Sequence, residues 1–182
     1  MVDKTGLMER LNKGPIICAE GFLFEAERRG YMSAGEFVPE IALENPGALR
    51  NIHRDFQHAG SDVVVAFTYN GHREKMRVIN KEHLLEKLNR IALQIAKQIS
   101  EETSSNEVNL VAGNISGTHI WDDNNEKSKR EVRNMFNEMV KWSKEEKVDY
   151  IIGETFYYAH EAYAALEEIK KHDLPAVITI SP

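Results

Sequence analysis

Glu154 is the residue whose type and position first suggest chemistry in this sequence. It stands at the far end of a largely apolar run, residues 148–156, that is entered by Lys147 and left through Gly153. A run of this kind indicates a parallel strand covered on both faces, and parallel α/β folds carry their chemistry where such strands end. Glu154 is therefore a candidate functional carboxylate, and the competing interpretation is a solvated loop acid or a partner for a neighbouring lysine.

Other predicted strands also end in polar, glycine-containing loops, which favours the functional interpretation. We predict strands at residues 15–19, 62–68, 108–113, 148–156 and 176–180. The first ends in Glu20-Gly21, the second in the segment from Tyr69 to His72, and the third in Asn114. Helical spacing predicts helices at residues 4–11, 22–30, 45–59, 81–102 and 161–171, and another after the polar segment 122–126.

Alternating strands and helices predict successive βαβ units and a parallel sheet. Two architectures fit five such units, a complete doubly wound sheet or a (β/α)₈ barrel cut short. A full barrel takes ~250 residues, and this chain has 182. It also stops just after an apolar strand, which a doubly wound domain normally covers with a further helix. We therefore predict a single domain, residues 1–182, that forms an incomplete TIM-type barrel with about five of the eight units.

Composition excludes several classes of function. The formal charge is −6 and no basic cluster stands out, so no nucleic-acid partner is expected. No apolar stretch approaches the ~20 residues of a membrane span, and no glycine-rich phosphate loop is present. Cys18 is the sole cysteine, which rules out an internal disulfide and favours a reducing compartment. We expect a cytoplasmic protein.

Three blocks of sequence resemble one known family. They are EGFLFEAERRGY, then GEFVPEIALENPGALRNIHRDFQHAGSDVVVAFTYNGHREKM, then VDYIIGETF with HEA shortly after. In this order and spacing they resemble the homocysteine S-methyltransferase family, and within it the betaine-homocysteine methyltransferase branch. The resemblance extends from about Pro15 to the end of the chain. It implies a homocysteine-binding (β/α)₈ barrel, of which this chain is the N-terminal part.

The reaction implied by the resemblance is methyl transfer from an onium donor, of betaine or sulfonium type, to the thiol of homocysteine, giving methionine. Zinc is the implied cofactor, because coordination to the metal keeps a thiol deprotonated near neutral pH. Carboxylates after the first and fourth strands are implied to hold the amino group of homocysteine. Glu154 matches the carboxylate of the fourth strand.

The first-strand match departs from the family pattern. The family has an Asp-Gly pair there, whereas this sequence has Ala19 aligned with the aspartate, followed by Glu20 and Gly21. We assign Glu20, Gly21 and Glu154 to substrate binding. A strand residue shifted by one points to the opposite face, so the face that Glu20 uses stays open. Cys18 lies inside the predicted strand and is interpreted as a small buried hydrophobe.

The methyl-donor pocket of the betaine branch uses aromatic rings that attract a trimethylammonium group. The matching positions are Phe37, Tyr69, Asn70 and Thr155, where Asn70 and Thr155 replace tyrosines. Ordinary packing is the competing interpretation of the aromatic residues here. Two histidines are equally open, because His72 and His160 are either ligands or exposed loop residues.

The zinc thiolates of the family come from later strands, and this chain has no cysteine pair, so we assign no metal ligand to it. Two hypotheses follow. The first is a methyltransferase represented by its substrate-binding part. The second is a non-catalytic binding or assembly protein that completes its barrel by forming a homo-oligomer, since an unpaired sheet edge invites association. A doubly wound signalling domain has little support, because its third strand would end in aspartate and its fifth in lysine.

Overall fold

Four parallel strands form the frame of the molecule. The computed structural model describes residues 4–32, 40–104 and 108–181. Within them lie β1 (Val63–Val65), β2 (Leu110–Ser116), β3 (Tyr150–Phe156) and β4 (Ala176–Ile180), hydrogen-bonded in the order β1-β2-β3-β4. Every neighbouring pair is parallel, so all four strands present their carboxyl ends at one edge of the sheet. The structure therefore has the α/β class and the parallel sheet that the sequence predicts.

Helices occupy the connections between the strands. Their bounds are α1 (Leu7–Leu11), α2 (Phe22–Arg28), α3 (Ile41–Glu44), α4 (Pro46–His58), α5 (Arg73–Val78), α6 (Leu85–Thr103), α7 (Glu126–Glu145) and α8 (Ala159–Lys170). A 3₁₀ turn, Glu82–Leu84, leads into α6. The start of α4 follows the prediction, because the Asn45 side chain accepts a hydrogen bond from the Ala48 amide and Pro46 takes the first helical position.

The helices follow the strands in a single winding. Consecutive long helices pack side by side, α4 against α6, α6 against α7, and α7 against α8. A doubly wound sheet would reverse its strand order and send helices to both faces. The sequential order of the described sheet instead matches (β/α) units laid next to one another. The doubly wound alternative is therefore excluded for this sheet.

The predicted strand at residues 15–19 is a correction, because only one isolated bridge, between Cys18 and Val63, forms there. Side chains take the places of ladder partners on either side of that bridge. The Ile17 amide donates to the Asp62 carboxylate at 2.7 Å, and the Ala19 amide donates to Ser61 Oγ at 3.1 Å. The segment lies beside β1 without becoming a regular strand.

Other boundaries also differ from the predictions. The helices α3 and α5 were not predicted, and each is only 4 to 6 residues long. β1 is shorter than the predicted segment 62–68, whereas β2 continues three residues beyond the predicted end, through Ser116. The predicted strand at 176–180 is confirmed at both ends.

The main core lies between the sheet and the helices. Every residue of β2 is buried, and Phe156 at the end of β3 packs edge-on against Phe136 of α7, with ring centroids 5.9 Å apart. Two glycines face this layer. A Cβ at Gly113 would lie 2.6 Å from Ser143 Oγ of α7, and one at Gly153 would lie 2.8 Å from Ile178 Cδ1. Because side chains alternate along a strand, the next residues, Asn114 and Glu154, point to the other face.

Among the described residues, no helix combines the length and the apolarity that crossing a membrane requires.

Candidate functional site

A cavity of about 290 Å³ lies where the described strands end, and we call it the strand-end pocket. Its polar lining residues are Glu20, Tyr69, Asn114, Glu154 and Thr155. The other lining residues are Gly21, Phe22, Leu23, Phe24 and Phe67. The pocket therefore combines two carboxyl groups with four large apolar side chains. This combination suits a ligand that carries a cationic group on an apolar body.

Larger grooves, two of about 480 Å³ and one of about 390 Å³, open on the outer surface along α7 and α8. Much of their charge is neutralised within the protein. Arg133 pairs with Glu167 at 2.6 Å and with Glu168 at 3.2 Å, and Asp123 accepts from His160 at 2.9 Å. These grooves are shallow surfaces between helices. Unlike the strand-end pocket, they are lined by charged side chains that already pair with one another.

Glu154 is held at the pocket by the neighbouring strand. It is half-buried, and its Oε1 accepts a hydrogen bond from the Asn114 side-chain amide. Asn114 and Glu154 lie on the pocket side of β2 and β3, which pair in register at Ser116 and Glu154. Among its described contacts Glu154 has no lysine partner. The interpretation of Glu154 as a partner for a neighbouring lysine is therefore not supported.

Glu20 meets Glu154 in the same pocket, although its chain position is shifted by one from the family pattern. The two carboxyl groups line the same cavity, close enough for each to change the pKa of the other. Strand alternation does not apply at Glu20, because the chain leaves its isolated bridge at Cys18 and turns at Gly21, where φ is 82°. That turn leads directly into α2.

Each of the two carboxyl groups changes the pKa of the other. Partial desolvation, followed by the charge of Glu154, raises the pKa of Glu20 to about 7, even though Glu20 keeps contact with solvent. Desolvation also raises the pKa of Glu154, while hydrogen bonds from Asn114 and Glu20 oppose that rise. Two close carboxyl groups share a proton because both cannot easily ionise together. Below about pH 7 the pair therefore holds about one proton, and it loses that proton as the pH rises through this value.

Cys18 and Tyr150 lie beside the pair. The Cys18 thiol donates to Glu20 Oε1 at 3.3 Å and lies 3.8 Å from the Tyr150 hydroxyl. Burial, and next the charge of Glu20, raise the pKa of Cys18 to about 12. Burial also raises the pKa of Tyr150, with Cys18 the second cause. Both groups are neutral at physiological pH, and a neutral thiol is a poor nucleophile and metal ligand.

Tyr69, in the loop that follows β1, contacts Thr155, near the C-terminal end of β3. The Thr155 hydroxyl donates to the Tyr69 hydroxyl at 2.9 Å. Thr155 has a φ of 58°, a left-handed conformation that is uncommon for a β-branched residue. Asn70, with the same φ, is buried, and its side chain accepts from Ser116 rather than lining the pocket. Phe37 lies outside the described residues.

The two histidines occupy different positions. His72 is buried at the start of α5, where its Nδ1 accepts from the Lys75 amide at 3.5 Å and its Nε2 has no partner. Desolvation lowers the pKa of His72 to about 3. His160 is exposed and its Nδ1 lies 2.9 Å from Asp123 Oδ1. Neither residue lines the strand-end pocket.

Comparison with known proteins decides the family. A model of the homocysteine S-methyltransferase family matches residues 21–182. The chain belongs to this family. Betaine-homocysteine S-methyltransferase 1 of Sus scrofa is 35% identical, over 97% of this chain and 63% of that protein. The S-methylmethionine-homocysteine S-methyltransferase of Pongo abelii is 32% identical, over 98% of this chain and 47% of its own length. The resemblance seen in the sequence is thereby confirmed.

Solved structures of the family share the fold. The homocysteine methyltransferase MmuM from Escherichia coli superposes with a TM-score of 0.78 in its metallated form and 0.80 in its oxidised form. Identity is 20%, and the match covers 96% of this chain but 65% of the MmuM chain. The chain likewise spans 43% of the Bos taurus betaine-homocysteine methyltransferase. It corresponds to part of the length of its relatives.

The zinc that the resemblance implies does not fit the residues at hand. Within residues 4–32, 40–104 and 108–181, no three His, Cys, Asp or Glu side chains cluster as a metal site would require. The sole cysteine of the chain, Cys18, has a raised pKa and donates a hydrogen bond to Glu20 as a neutral thiol. A thiolate zinc site needs several deprotonated cysteines. No step of the proposed chemistry is therefore assigned to a metal held by this chain.

Several pocket residues were not predicted as site residues. Asn114 was identified only as the end of a strand, although an asparagine closing a buried apolar run is itself a signal of a polar contact. The apolar lining residues lie inside predicted elements, Phe22, Leu23 and Phe24 in a helix and Phe67 in a strand. Their spacing in the sequence indicates only packing. Only the fold brings these side chains to the two carboxyl groups.

Proposed function

We propose that this chain binds homocysteine and an onium methyl donor in the strand-end pocket, as the substrate-binding part of a homocysteine S-methyltransferase. The observation that carries the proposal is the pair of carboxyl groups, Glu20 and Glu154, in one cavity with aromatic side chains. Family membership supports it, and so do relatives named for betaine and for S-methylmethionine, which are both onium compounds.

The amino group of homocysteine is bound by Glu20 and Glu154 in this proposal. An ammonium between two carboxylates makes charge-assisted hydrogen bonds to both, which are stronger than neutral ones. Gly21 lies next to them, and no atom lies within 4 Å of the position that its Cβ would occupy. That open space leaves room for the amino-acid end of the ligand against the backbone.

The methyl donor contacts the aromatic part of the pocket. Tyr69 and Thr155 line it, and Phe24, which is 74% exposed, stands at the solvent side of α2. A cationic ammonium or sulfonium group is attracted to such ring faces. The predicted donor set of Phe37, Tyr69, Asn70 and Thr155 stays a proposal, with Asn70 acting from behind the pocket through its backbone and Ser116.

In the proposed transfer, the homocysteine sulfur, as a thiolate, forms a bond to the methyl carbon. The bond from that carbon to the onium nitrogen or sulfur breaks, and its electron pair remains on the donor. The donor leaves as a neutral amine or sulfide, the thiol proton goes to solvent, and methionine is the product. The residues of this chain contribute binding and orientation, which bring the reacting atoms into line.

We further propose that the chain is the N-terminal part of a longer barrel. Its relatives are longer, and the MmuM match leaves about a third of that structure uncovered. The intact mass of the protein in its source cells tests this proposal. A mass well above 20.8 kDa is expected. A mass equal to that value would contradict it.

The exposed edge of the sheet favours a second candidate, a binding or assembly protein that completes its barrel by self-association. Within the described sheet β4 is paired only with β3, and Ile180 is 56% exposed. Unpaired edges with apolar side chains promote association. Sedimentation of the isolated chain is expected to show oligomers, and a monodisperse monomer would contradict this candidate.

A cytoplasmic location completes the proposal. The sole cysteine carries a neutral thiol and suits a reducing compartment. Fractionation of the source cells should recover the protein with cytoplasmic markers.

Calorimetric titration of L-homocysteine, kept reduced, tests the binding role. Glu154→Gln keeps the shape of the side chain and removes its charge, so we expect affinity to fall by roughly 10-fold or more, the loss of one charged hydrogen bond. Glu102→Gln is the matched control, because Glu102 pairs with Arg54 on the surface, outside the pocket. Equal affinities for wild type and Glu154→Gln would overturn the proposal.

A further inference from the structure

We infer that Asn114 is a positioning residue that makes Glu154 the ionised member of the carboxyl pair and Glu20 the proton-carrying one, so that a bound amine displaces one proton. The inference rests on the proposed amine site and deepens it. It concerns the strand-end pocket alone. Family membership by itself gives no reason to expect a proton-linked site.

The geometry of Asn114 is fixed by Thr68. The Thr68 hydroxyl donates to the main-chain carbonyl of Asn114 at 2.6 Å and accepts from the main-chain N–H of Asn114 at 3.1 Å. Asn114 is 3% exposed, and its side-chain amide donates to Glu154 Oε1. An N–H donor stabilises an ionised carboxylate, so it favours the charge on Glu154. Glu20 is then left to carry the shared proton and to donate it to Glu154.

The groups that face the pair supply no other positive charge. Cys18 and Tyr150 lie next to Glu20, and Tyr69 lies close enough to sense the charge of Glu154. All three are neutral near pH 7, because the pKa of each is raised. No lysine, arginine or histidine of the described chain acts on either carboxyl group. The shared proton is therefore the counter-charge that an incoming ammonium replaces.

Charge is balanced when the ligand ammonium replaces the shared proton. Before binding, one proton and two carboxylates carry a net charge of about −1. A ligand ammonium enters between the carboxylates, the proton leaves to solvent, and the ammonium retains its own three protons. The complex then holds two carboxylates around one cation, and no other bond forms or breaks.

A second observation points to a ligand at this position. The side-chain oxygen of Asn114 is buried and has no hydrogen-bond partner. Buried acceptors are rarely left without a donor in folded proteins. An ammonium held by two carboxylates has a third N–H to donate, and Asn114 lines the same pocket. The amide thus orients Glu154 through its nitrogen and offers its oxygen to the amine.

Calorimetry with L-methionine tests the inference, because methionine has the amino-acid end of homocysteine and no thiol that titrates. Titrations in two buffers of different ionisation enthalpy count the protons released. At about pH 6 we expect release of nearly one proton per ligand, and at about pH 8 nearly none, because Glu20 has by then ionised. The Glu20→Gln variant should release no proton at either pH.

Asn114→Ala separates a positioning role from a merely structural one. Without the amide donor the pair should hold its proton to higher pH, so the midpoint of proton release moves upward and affinity falls about 5-fold or more. Asn109→Ala is the matched control, since Asn109 precedes the opposite end of the same strand. Its affinity and its midpoint should match those of wild type.

The outcomes separate the inference from the proposed function. Binding without proton release at about pH 6, or an Asn114→Ala variant with weaker affinity and an unchanged midpoint, overturns the inference and leaves the amine site intact. Failure of both methionine and homocysteine to bind overturns the inference together with the proposed function. Proton release that Asn114→Ala shifts and Asn109→Ala does not shift supports both.

Discussion

The two faces of β2 and β3 differ at adjacent residues. Gly113 and Gly153 face the helices, where an added Cβ would come within 3 Å of neighbouring side chains. The next residues, Asn114 and Glu154, face the pocket and make polar contacts with each other. One face is filled by packed side chains. The other face has polar atoms that can still form hydrogen bonds, including the buried Asn114 side-chain oxygen, which has no partner.

Two residues with a left-handed backbone lie at the pocket end of the sheet, and Lys147 and Asp173 adopt the same conformation before β3 and β4. Asn70, in the loop after β1, and Thr155, near the end of β3, both have a φ of 58° and lie at the pocket end. A left-handed conformation costs a residue with a side chain about 1–2 kcal/mol. Strain and unpaired polar groups concentrate at functional ends, while packing elsewhere holds the fold. Substitutions on the helix side should therefore change stability, and substitutions in the pocket should change binding.

The largest expected effect concerns Glu161, which joins α8 to the loop after β2. Its carboxyl group, 1% exposed, accepts from the Thr118 amide at 2.8 Å and from the Thr118 hydroxyl at 2.6 Å. Glu161→Ala leaves two buried donors without an acceptor, so the free energy of unfolding should fall by about 3 kcal/mol. Urea denaturation measures it. Glu126→Ala, at an exposed pair with Lys129, should leave the free energy of unfolding nearly unchanged.

Gly113→Ala tests the packed face itself. The new methyl group would meet Ser143 Oγ at 2.6 Å and Ile151 Cδ1 at 2.8 Å, so the unfolding free energy should fall by about 1–3 kcal/mol. Gly47→Ala is the control, because it makes the same glycine-to-alanine change at a position with open space. It lies in α4 with only Asn45 Oδ1 near, at 3.8 Å, and should stabilise the protein by about 0.5–1 kcal/mol. Equal effects at the two glycines would refute the close packing described for Gly113.

Thr155→Gly tests the strained end. Relief of the left-handed conformation should offset the lost hydrogen bond to Tyr69 and the added freedom of glycine, so stability should stay within about 1 kcal/mol of wild type. Binding of an onium probe such as tetramethylammonium should weaken, because Tyr69 is no longer held. Thr155→Ser keeps the hydroxyl and should retain binding. A large loss of stability in Thr155→Gly would show that Thr155 contributes to packing and that its backbone conformation is not a source of strain.

The smallest expected effect is a pH dependence of stability from Glu20. Partial desolvation and the charge of Glu154 raise its folded pKa from an ordinary 4.5 to about 7. The folded state binds this proton more tightly, so its contribution is complete below pH 4.5 and is lost as the pH rises through about 7. The difference in urea midpoint between wild type and Glu20→Gln should therefore vary across this window. A constant difference would show that the carboxyl pair does not share a proton.

Much of the fold was predictable because its signals are local. The apolar run before Glu154, the Asn45-Pro46 start of α4 and the strand at 176–180 were all evident from pattern. The strand predicted at residues 15–19 was wrong, because main-chain amides of this segment donate to the Asp62 and Ser61 side chains. The periodicity of the sequence does not reveal such contacts. β2 runs beyond Gly113 because Asn114 and Ser116 find polar partners on the pocket face.

The site was less predictable than the fold. Glu154 and Glu20 were identified, but their contact depends on the turn at Gly21 and on the missing regularity of the first segment. The role of Asn114 depends on register between β2 and β3, which the sequence leaves open. Contacts between the end of one strand and the loop after another, such as Thr155 with Tyr69, arise only when the strands are aligned.

Amide chemical-shift mapping with reduced L-homocysteine tests most directly the claim that the strand-end pocket binds the substrate. The account predicts shifts concentrated at Glu20, Gly21, Asn114, Glu154 and Thr155, with the helix-facing residues around Ser143 unchanged. It also predicts that Glu154→Gln strongly reduces the shifts at a ligand concentration near the wild-type dissociation constant. Shifts spread along α7 and α8, or an unchanged pattern in Glu154→Gln, would contradict it.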